Sequence, residues 1–427
     1  MWVAIQTAGF LKSLWPLFRA IDHSSLYTAA LQFYGLYPIA MSWLWISLSL
    51  FFVRRQEHTP MLFEEPCPLV SILVPCYAEE ATIKDTIEAI LALDYPNFEV
   101  IIVNDNSPDR TAAEARRFLH DVRVRLVNKT VNEGKAMGLN DALPVCSGEI
   151  ILIIDSDILV SPQLLRCIVP HFRAPRVAAV TGNPRVRNRE SLLQHLQAIE
   201  FSSIVSMQRR AQRVLGRILT VSGAVFAVRR TALLDVGGFS SHMATEDMDL
   251  TWRLQMQFWD IRYEPRAVVW MQVPPNIREL WKQRKRWARG LGQALARHRE
   301  IPFRWKMRRM WPIYYESCAS ILWAWVFVLM TAFWLLCIIS GFSPRGASPI
   351  PNFWGMAIAT TCIAQLLIGA WVDRRYDPDI MRSTSGAIFY PIIYWMMMAI
   401  ITFIYTVPAL FRKPPKVQRW RIQRDRV

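Results

Sequence analysis

Four long stretches that contain no Asp, Glu, Lys or Arg constrain this chain most strongly. They cover residues 24–53, 317–344, 346–372 and 383–411. Because about 20 apolar residues cross the hydrocarbon core of a bilayer, each stretch is long enough for a spanning helix. Basic residues follow several of them, as is typical at a membrane surface. The pattern predicts a transmembrane helix at 24–56 and about three more within 317–411, and it excludes a wholly soluble protein.

The two ends of the chain differ from these stretches. Residues 1–23 carry Lys12 and Arg19 among apolar residues, which predicts an interfacial amphipathic segment. Residues 412–427 form a basic tail with a single acidic residue, Asp425. The basic residues that flank the central polar block favour a cytosolic location for it. Three spans after that block would leave the basic tail outside, so either one apolar run is interfacial or re-entrant, or the tail is external despite its charge.

Composition narrows the function classes further. The chain has 50 Lys and Arg against 34 Asp and Glu, a net charge of +16. Basic residues concentrate beside the membrane stretches and in the tail, which does not match a nucleic-acid-binding face, so nucleic acid is not an expected partner. The 7 Cys residues are scattered without a C-x-x-C pair. They predict neither a disulfide framework nor a zinc site.

The polar block, residues 57–275, alternates short apolar runs with helical patterns. Runs at 69–74, 100–103 and 150–154 each end at polar residues, and helical spacing lies between them at 81–93 and 111–119. This alternation predicts parallel β-α-β units with helices on both faces of the sheet. Ligands in such sheets bind beyond the carboxyl ends of the strands, where four acidic residues fall. They are Glu79, Asp105, Asp155 and Asp157.

Several residues near those strand ends suit a nucleotide and its phosphates. Asp155 and Asp157 flank Ser156 and offer hard oxygen ligands for Mg²⁺ or Mn²⁺. Asp105 can accept from a base or ribose, and Lys135 stands at a loop-to-helix junction that suits phosphate. Pro75 or Tyr77 can pack on a base. Each of these residues alone could equally be a turn or helix cap.

Two further motifs follow in the chain. Thr245-Glu246-Asp247 opens a helical pattern, either as an N-cap or with Asp247 as a general base. Residues 276–316 begin with a basic amphipathic helix that places Gln283, Arg286 and Trp287 on one face. Arg286 can hold diphosphate and Trp287 can stack on a sugar, although Arg and Trp also anchor helices at membrane surfaces.

The order of these motifs resembles the membrane-embedded processive glycosyltransferases of family 2, which include cellulose, chitin and hyaluronan synthases. Their D-x-D, T-E-D and Q-x-x-R-W motifs match residues 155–157, 245–247 and 283–287. Segments around 179–185 and 219–223 are most similar to the bacterial poly-β-1,6-N-acetyl-D-glucosamine synthases. Two departures stand out. The N-terminal membrane region is shorter than the two spans expected, and Ala78 stands where many members carry Asn.

The resemblance implies an α/β GT-A domain, a Rossmann-like nucleotide-diphospho-sugar transferase fold, inserted between transmembrane helices. It also implies UDP-N-acetylglucosamine as donor, inversion at the anomeric carbon, and export of the growing chain across the bacterial inner membrane from a cytosolic active site. Its site residues would divide by role. Glu79, Asp105 and Lys135 bind the donor; Asp155 and Asp157 hold the metal and diphosphate; Asp247, with Glu246 beside it, is the base; and Gln283, Arg286 and Trp287 bind acceptor and diphosphate.

Relatives of this kind often work with a small membrane subunit that mediates cyclic di-GMP control, so such a partner is expected here. Two alternatives remain open at this stage. One is another β-glycan synthase of the hyaluronan, chitin or cellulose type. The other is a non-processive transferase that acts on a lipid-linked acceptor, which the presence of the Q-x-x-R-W motif disfavours.

Overall fold

The computed structural model describes residues 12–57, 65, 67–345, 353–415 and 417–419. These residues contain one mixed sheet with the strand order β3-β2-β1-β4-β7-β6-β8-β5. The strands are β1 Val70–Cys76, β2 Phe98–Asn104, β3 Val124–Asn128, β4 Ile150–Ile154, β5 Leu159–Val160, β6 Val177–Val186, β7 Val225–Arg229 and β8 Asp260–Met271.

The α-helices are numbered in chain order over the same described residues. They are α1 Trp15–Asp22, α2 Ser25–Phe52, α3 Ile83–Leu91, α4 Thr111–Arg116, α5 Lys135–Ala142, α6 Leu164–Ile168, α7 Leu192–Glu200, α8 Met207–Val214, α9 Arg230–Asp235, α10 Glu246–Met256, α11 Ile277–Arg297, α12 Trp311–Ser340, α13 Phe353–Asp373 and α14 Trp395–Phe411.

The sheet is buried on both faces, as the uninterrupted apolar runs predict. Every residue of β1, β2 and β4 is buried. One apolar layer packs α3, α4 and α6 against the sheet, and a second packs α5, α9 and α10 on the other side. Strands β1 to β4 are parallel, and β7 runs antiparallel to both β4 and β6. The parallel part holds three adjacent strand ends at one edge of the sheet.

Three helices in the described residues are long and apolar enough to cross a membrane: Ser25–Glu57, Trp305–Ser340 and Trp354–Asp373. The first of these extends α2 through a π-helical turn, Val53–Glu57. The fourth uncharged stretch folds differently. It enters the 3₁₀ helix Pro378–Phe389 and the π-helical turn Tyr390–Tyr394 before the 17-residue α14.

Helix α14 lies along the basic helix α11. Near its start, the Tyr394 hydroxyl accepts a hydrogen bond of 2.8 Å from Arg284. Further along, the Lys285 ammonium lies 4.8 Å from the centre of the Tyr405 ring. Beyond α14, the Gln418 backbone N–H donates to the Ser241 carbonyl over 2.8 Å, so this part of the tail contacts the sheet domain.

A buried ion cluster joins two membrane helices to the sheet domain. Arg210 on α8 pairs with Glu57 at 2.9 Å and with Asp373, the last residue of α13, at 2.8 Å. Arg185 of β6 also contacts Asp373, at 2.7 Å. At the opposite ends of the membrane helices, Phe18 of the short helix α1 packs edge-on against Phe333 of α12. Residues 1–11 lie outside the described residues.

Candidate active site

The candidate site lies at the edge where β2, β1 and β4 end. The segment after β1 is held by its neighbours: the Ala78 N–H donates to Ser107 and the Glu79 N–H donates to Thr111. Ala78 has φ = 57°, a left-handed conformation that Asn adopts more readily than Ala. The residue that departs from the expected pattern therefore occupies a conformation that favours Asn over Ala.

The two residues predicted to pack on a base have different environments. Tyr77 is half-buried and lies just beyond the end of β1, where a ring can reach a ligand at the strand ends. Pro75 is buried within β1 and pairs with Val103 of β2. The side chain available to a nucleotide base is therefore that of Tyr77.

Asp105 positions the loop that leads to Lys135. Its carboxylate accepts hydrogen bonds from the Glu133 N–H at 3.0 Å and from the Gly134 N–H at 2.6 Å. Asp105 is 2% exposed, so these contacts replace the water that the carboxylate has lost. Because Lys135 is the first residue of α5, this loop fixes where its ammonium group points.

Lys135 connects three parts of the site. Its ammonium donates to Asp155 Oδ1 at 2.6 Å and to the Gly223 carbonyl at 3.0 Å, and lies 3.5 Å from Glu246 Oε1. Burial lowers the pKa of Lys135, but the charges of Asp155 and Glu246 more than offset this, so its pKa lies above the usual value. Lys135 is therefore a fixed positive charge at neutral pH.

The Asp155-Ser156-Asp157 segment follows β4 directly. Ser156 is buried, and its carbonyl accepts a hydrogen bond from Thr86 at 2.9 Å, which holds the segment's backbone. Burial raises the pKa of Asp155, as do the charges of Asp157 and Glu246, while Lys135 lowers it. A carboxylate whose pKa is raised by neighbouring negative charges lies in an environment that a divalent cation would stabilise.

The carboxylates fit a hard cation by chemistry, but they do not enclose one. Within the described residues, no group of three or more His, Cys, Asp and Glu side chains could hold a metal by itself. A cation at Asp155 and Asp157 would therefore take its other ligands from water or from a substrate's phosphates, as Mg²⁺ commonly does.

Asp247 is the second residue of α10 and faces Gly223. A Cβ added at Gly223 would lie 3.0 Å from Asp247 Oδ2, so a larger residue would crowd the carboxylate. Burial and the neighbouring Glu246 raise the pKa of Asp247 to about 6, whereas Lys135 and Arg286 lower it. A carboxylate with a pKa near 6 is ionised at pH 7 and still basic enough to accept a proton.

The other acidic residues of α10 have different partners. Glu246 is buried and faces Lys135. Asp249 bonds to Ser240, Arg253 and His298, and points away from Lys135 and Asp155. Thr245 occupies the N-cap position of α10, as one interpretation of the motif predicts, but its side chain makes no capping hydrogen bond.

Helix α11 brings its motif to the same place. Arg286 lies near enough to Asp247 to lower its pKa and is exposed on the surface of the site. Trp287 is half-buried, with the Arg284 guanidinium 4.0 Å from the centre of its ring. The Gln283 Oε1 atom is buried without a hydrogen-bond partner in the described residues.

Sequence reasoning missed one group that contributes to the site and one buried arginine. The Gly223 carbonyl, which fixes Lys135, had a visible signal, because Gly223 interrupts an apolar run. Arg209, on α8, had none, because adjacent arginines in a polar helix usually face water. Gly223 lies in the loop that precedes β7.

Comparisons with known proteins agree with this arrangement. Residues 67–290 match the family model described as "Glycosyltransferase like family 2". Poly-beta-1,6-N-acetyl-D-glucosamine synthase from Staphylococcus epidermidis is 33% identical over 396 residues, covering 90% of this chain and 95% of that protein. The synthase of the same name from Staphylococcus aureus (strain COL) is 31% identical over 393 residues, with the same coverage.

Among solved structures, a mannosyltransferase from Pyrobaculum calidifontis in complex with GDP-Man and Mn²⁺ is similar in fold. It superposes with a TM-score of 0.61 and 21% sequence identity, and the match covers 92% of this chain and 99% of that one. At this identity the likeness concerns the fold, and it confirms the predicted GT-A architecture with apolar helices beside the sheet domain.

Proposed function

The chain belongs to glycosyltransferase family 2 and has three helices that could cross a membrane, and we propose that it is a processive inverting synthase of poly-β-1,6-N-acetyl-D-glucosamine. The proposed donor is UDP-N-acetylglucosamine, and the product is an exopolysaccharide of biofilms that passes across the membrane as it grows. The observation that carries this proposal is the convergence of Lys135, Asp155, Asp247 and Arg286 at one edge of the sheet. Relatives of that name align over 90% of the chain.

In the proposed donor site, Tyr77 packs on the uracil ring, and Glu79 and Asp105 hold the nucleoside. Lys135 and Arg286 contact the diphosphate oxygens. The position of Lys135 supports its assignment. Its ammonium lies between the carboxylate of Asp155 and the carbonyl of Gly223, where a bound phosphate could also contact it. Cations placed where a leaving group develops charge stabilise the transition state.

The proposed cofactor is Mg²⁺ or Mn²⁺, held by Asp155 and Asp157. A divalent cation there would neutralise the diphosphate as UDP departs. The mannosyltransferase from Pyrobaculum calidifontis was solved in complex with Mn²⁺, which supports a divalent ion of this kind.

Asp247 is the proposed general base. It accepts the proton of the acceptor hydroxyl as that oxygen attacks the anomeric carbon on the face opposite to the departing UDP. Glu246 raises the pKa of Asp247, and Lys135 and Arg286 keep it ionised. Gln283 and Trp287 are proposed to hold the acceptor sugar, because the amide has an unused acceptor atom and the ring is half-buried at the site.

The proposed topology places the sheet domain and the tail in the cytosol of a bacterial cell, with α2, α12 and α13 crossing the inner membrane. Helix α14 then stays on the catalytic side along α11. The Gln418–Ser241 hydrogen bond supports this, because it requires the tail and the sheet domain to share a side. An even number of crossings after the domain also removes the conflict with the basic tail. A small membrane subunit that responds to cyclic di-GMP is proposed from the resemblance alone.

The test is incubation of membranes containing the protein with a panel of labelled UDP-sugars, followed by digestion with linkage-specific hydrolases. We expect incorporation from UDP-N-acetylglucosamine into a polymer that only a β-1,6-specific hydrolase degrades. A polymer degraded instead by hyaluronidase, chitinase or cellulase would assign a different β-glycan. A single sugar transferred to lipid without polymer would contradict processivity.

A further inference from the structure

Two adjacent arginines on α8 are both buried, but only one of them has ionic partners. Arg210 is fully buried and is neutralised by Glu57 and Asp373. Arg209 is also buried, with 7% of its surface exposed, yet it makes no ion pair or hydrogen bond with the described residues, and its Nη1 atom is sealed from solvent without a partner. Among the guanidinium nitrogens of Arg209, Nη1 is the one that is both sealed from solvent and unpartnered. A buried donor without a partner is unfavourable, so a ligand that accepts a hydrogen bond there would account for this arrangement.

The charges that act on Arg209 locate it relative to the site. Burial lowers the pKa of Arg209 to about 10, and the nearby Tyr263 and Asp247 partly offset this. Lys135, in contrast, responds to Asp155, Glu246 and Asp247. The charge of Asp247 therefore acts on both cations. Geometry gives the same neighbourhood: Tyr263 pairs with Thr181 in the sheet, and Thr181 accepts a hydrogen bond of 2.8 Å from the N–H of Ser222, the residue before the glycine that faces Asp247.

The remaining neighbours of Arg209 point toward the membrane. Tyr263 shares a hydrogen bond of 2.8 Å with Ser206, and Ser206 donates to Asp373 at the end of α13. Arg185, whose charge also acts on Arg209, pairs with the same Asp373. Tyr263 and Arg185 thus connect the neighbourhood of Arg209 to the end of a membrane helix, the side from which a membrane-bound chain would approach.

We propose that Arg209 binds the acceptor sugar beside Asp247, donating hydrogen bonds to its hydroxyl or N-acetyl oxygens. This inference rests on the proposed polymerase function and extends it to a residue outside the family's named motifs. A guanidinium carries five N–H donors and no acceptor, which suits a ring of sugar oxygens. Because the acceptor is neutral, Arg209 keeps its charge next to the base and stabilises the ionised form of Asp247.

The experiment compares Arg209→Gln, Arg209→Lys and wild type as purified full-length protein. Arg213→Gln is the matched control, because Arg213 lies on the same helix but pairs with Asp260 away from the site. Wild type is first offered the panel of UDP-sugars, and all later measurements use the donor that it turns over. If wild type turns over another UDP-sugar but not UDP-N-acetylglucosamine, the donor assignment is wrong, and the role of Arg209 can still be tested with the donor that is used.

Three quantities are measured: KM for an added β-linked oligosaccharide of the same sugar, calorimetric binding of that oligosaccharide, and UDP affinity. We expect Arg209→Gln to weaken oligosaccharide binding about 10- to 100-fold while UDP affinity stays within about twofold, with Lys recovering part of the loss. An equal loss of UDP affinity would make Arg209 a diphosphate residue. Unchanged oligosaccharide binding in a folded variant would make its role structural.

Discussion

Asp247 is the residue whose environment matters most for the proposed reaction. Its carboxylate is packed against Gly223 and flanked by Glu246, Lys135 and Arg286. These neighbours act in opposite directions, and the balance leaves the pKa raised to about 6. The same group is thus ionised at neutral pH and basic enough to take a proton from a sugar hydroxyl.

Replacing Asp247 by Asn should abolish transfer while donor binding persists. Asn has nearly the same shape but cannot accept the proton, and loss of a general base typically costs about 10²- to 10⁴-fold in rate. Polymer formation and UDP binding, measured in the same membranes, check this. Glu246→Gln and Asp249→Asn serve as comparisons, and near-normal turnover by Asp247→Asn would move the base to one of those positions.

The pKa shift of Asp247 also predicts how Asp247→Asn affects thermal stability, and this measurement checks that the variant is folded. Because the folded protein raises the pKa of Asp247 from 3.8 to about 6, folding favours its protonated form. The contribution of this group to stability is therefore present below about pH 4 and lost as the pH rises through about 6. At pH 7.5 the Asn variant should unfold at a temperature no lower than that of wild type.

The same pKa predicts the pH dependence of activity. We expect kcat/KM to rise with pH, to reach half its maximum near pH 6, and to level off above, because only ionised Asp247 can act as a base. Glu246→Gln should move the midpoint to lower pH, since the charge of Glu246 raises the pKa of Asp247. A midpoint that does not respond to this substitution would assign the titration to another group.

Removal of divalent cations should stop polymer synthesis, because the diphosphate of the donor would then lack its counter-ion. Asp155 and Asp157 offer carboxylate oxygens, but the described residues provide no third acidic, His or Cys ligand in a cluster. We expect polymer synthesis to cease in excess EDTA and to return with Mg²⁺ or Mn²⁺. Asp157→Asn should lose the Mn²⁺-dependent part of UDP binding in calorimetry. Full synthesis in EDTA would contradict a role for a metal.

At the scale of secondary-structure elements, the sequence predicted those parts whose pattern is local. Strands β1, β2 and β4 contain the predicted apolar runs, and α10 and α11 begin within one residue of where their spacing predicts. Strands β6 and β8 were not predicted. Charged residues in them look like loop residues until their partners are known: Arg185 pairs with Asp373, and Glu264 pairs with His171 and Arg266.

In the candidate site, too, some features follow from the local sequence and others depend on the tertiary structure. Residues that follow predicted strands or begin predicted helices, such as Asp155 and Asp247, could be found from their position in the chain. The convergence of Lys135 on the Gly223 carbonyl joins residues 88 positions apart, and the burial of Arg209 depends on elements from three parts of the chain. Neither feature has a local pattern, so only the tertiary structure reveals it.

The crossing of α11 over the start of α10 gives a prediction at this scale. Gly290 lies against Thr245, and a Cβ at position 290 would overlap the Thr245 side chain. Gly290→Ala should therefore push α11 away from Asp247 and lower kcat, since small misplacements at a reacting centre can cost up to about 10²-fold. Adding Thr245→Ala, which removes two of the three crowding atoms, should recover part of the rate. No recovery would show that the loss has another cause.

At the scale of the whole molecule, the ion cluster of Glu57, Arg210, Arg185 and Asp373 ties membrane helices to the catalytic domain. All four side chains are at most 1% exposed. Buried charges of this kind are stabilising only when every partner is present. The cluster therefore fixes the ends of α2 and α13 relative to α8 and β6, and through them relative to the site.

That arrangement predicts on which side of the membrane each connection lies. Asp373 and Glu57 contact the sheet domain, whereas Arg345, beyond the far end of α12, lies 3.5 Å from Asp22 beside α1. Gln418 bonds to Ser241 of the sheet domain. The 341–345 segment and α1 should therefore lie on the side opposite to the catalytic domain, with the tail on the catalytic side.

Reporter fusions can measure these positions. A fluorescent protein that matures only in the cytosol should fluoresce when fused after Val427, and alkaline phosphatase, active only outside, should be active when inserted after Phe342. Phosphatase fused after Val427 should be inactive, because two crossings, α12 and α13, separate the tail from the catalytic domain. Phosphatase activity at Val427 together with fluorescence of an insertion in the sheet domain would mean that α14 also crosses. In that case the Gln418–Ser241 contact could not form, since its two partners would lie on opposite sides of the membrane.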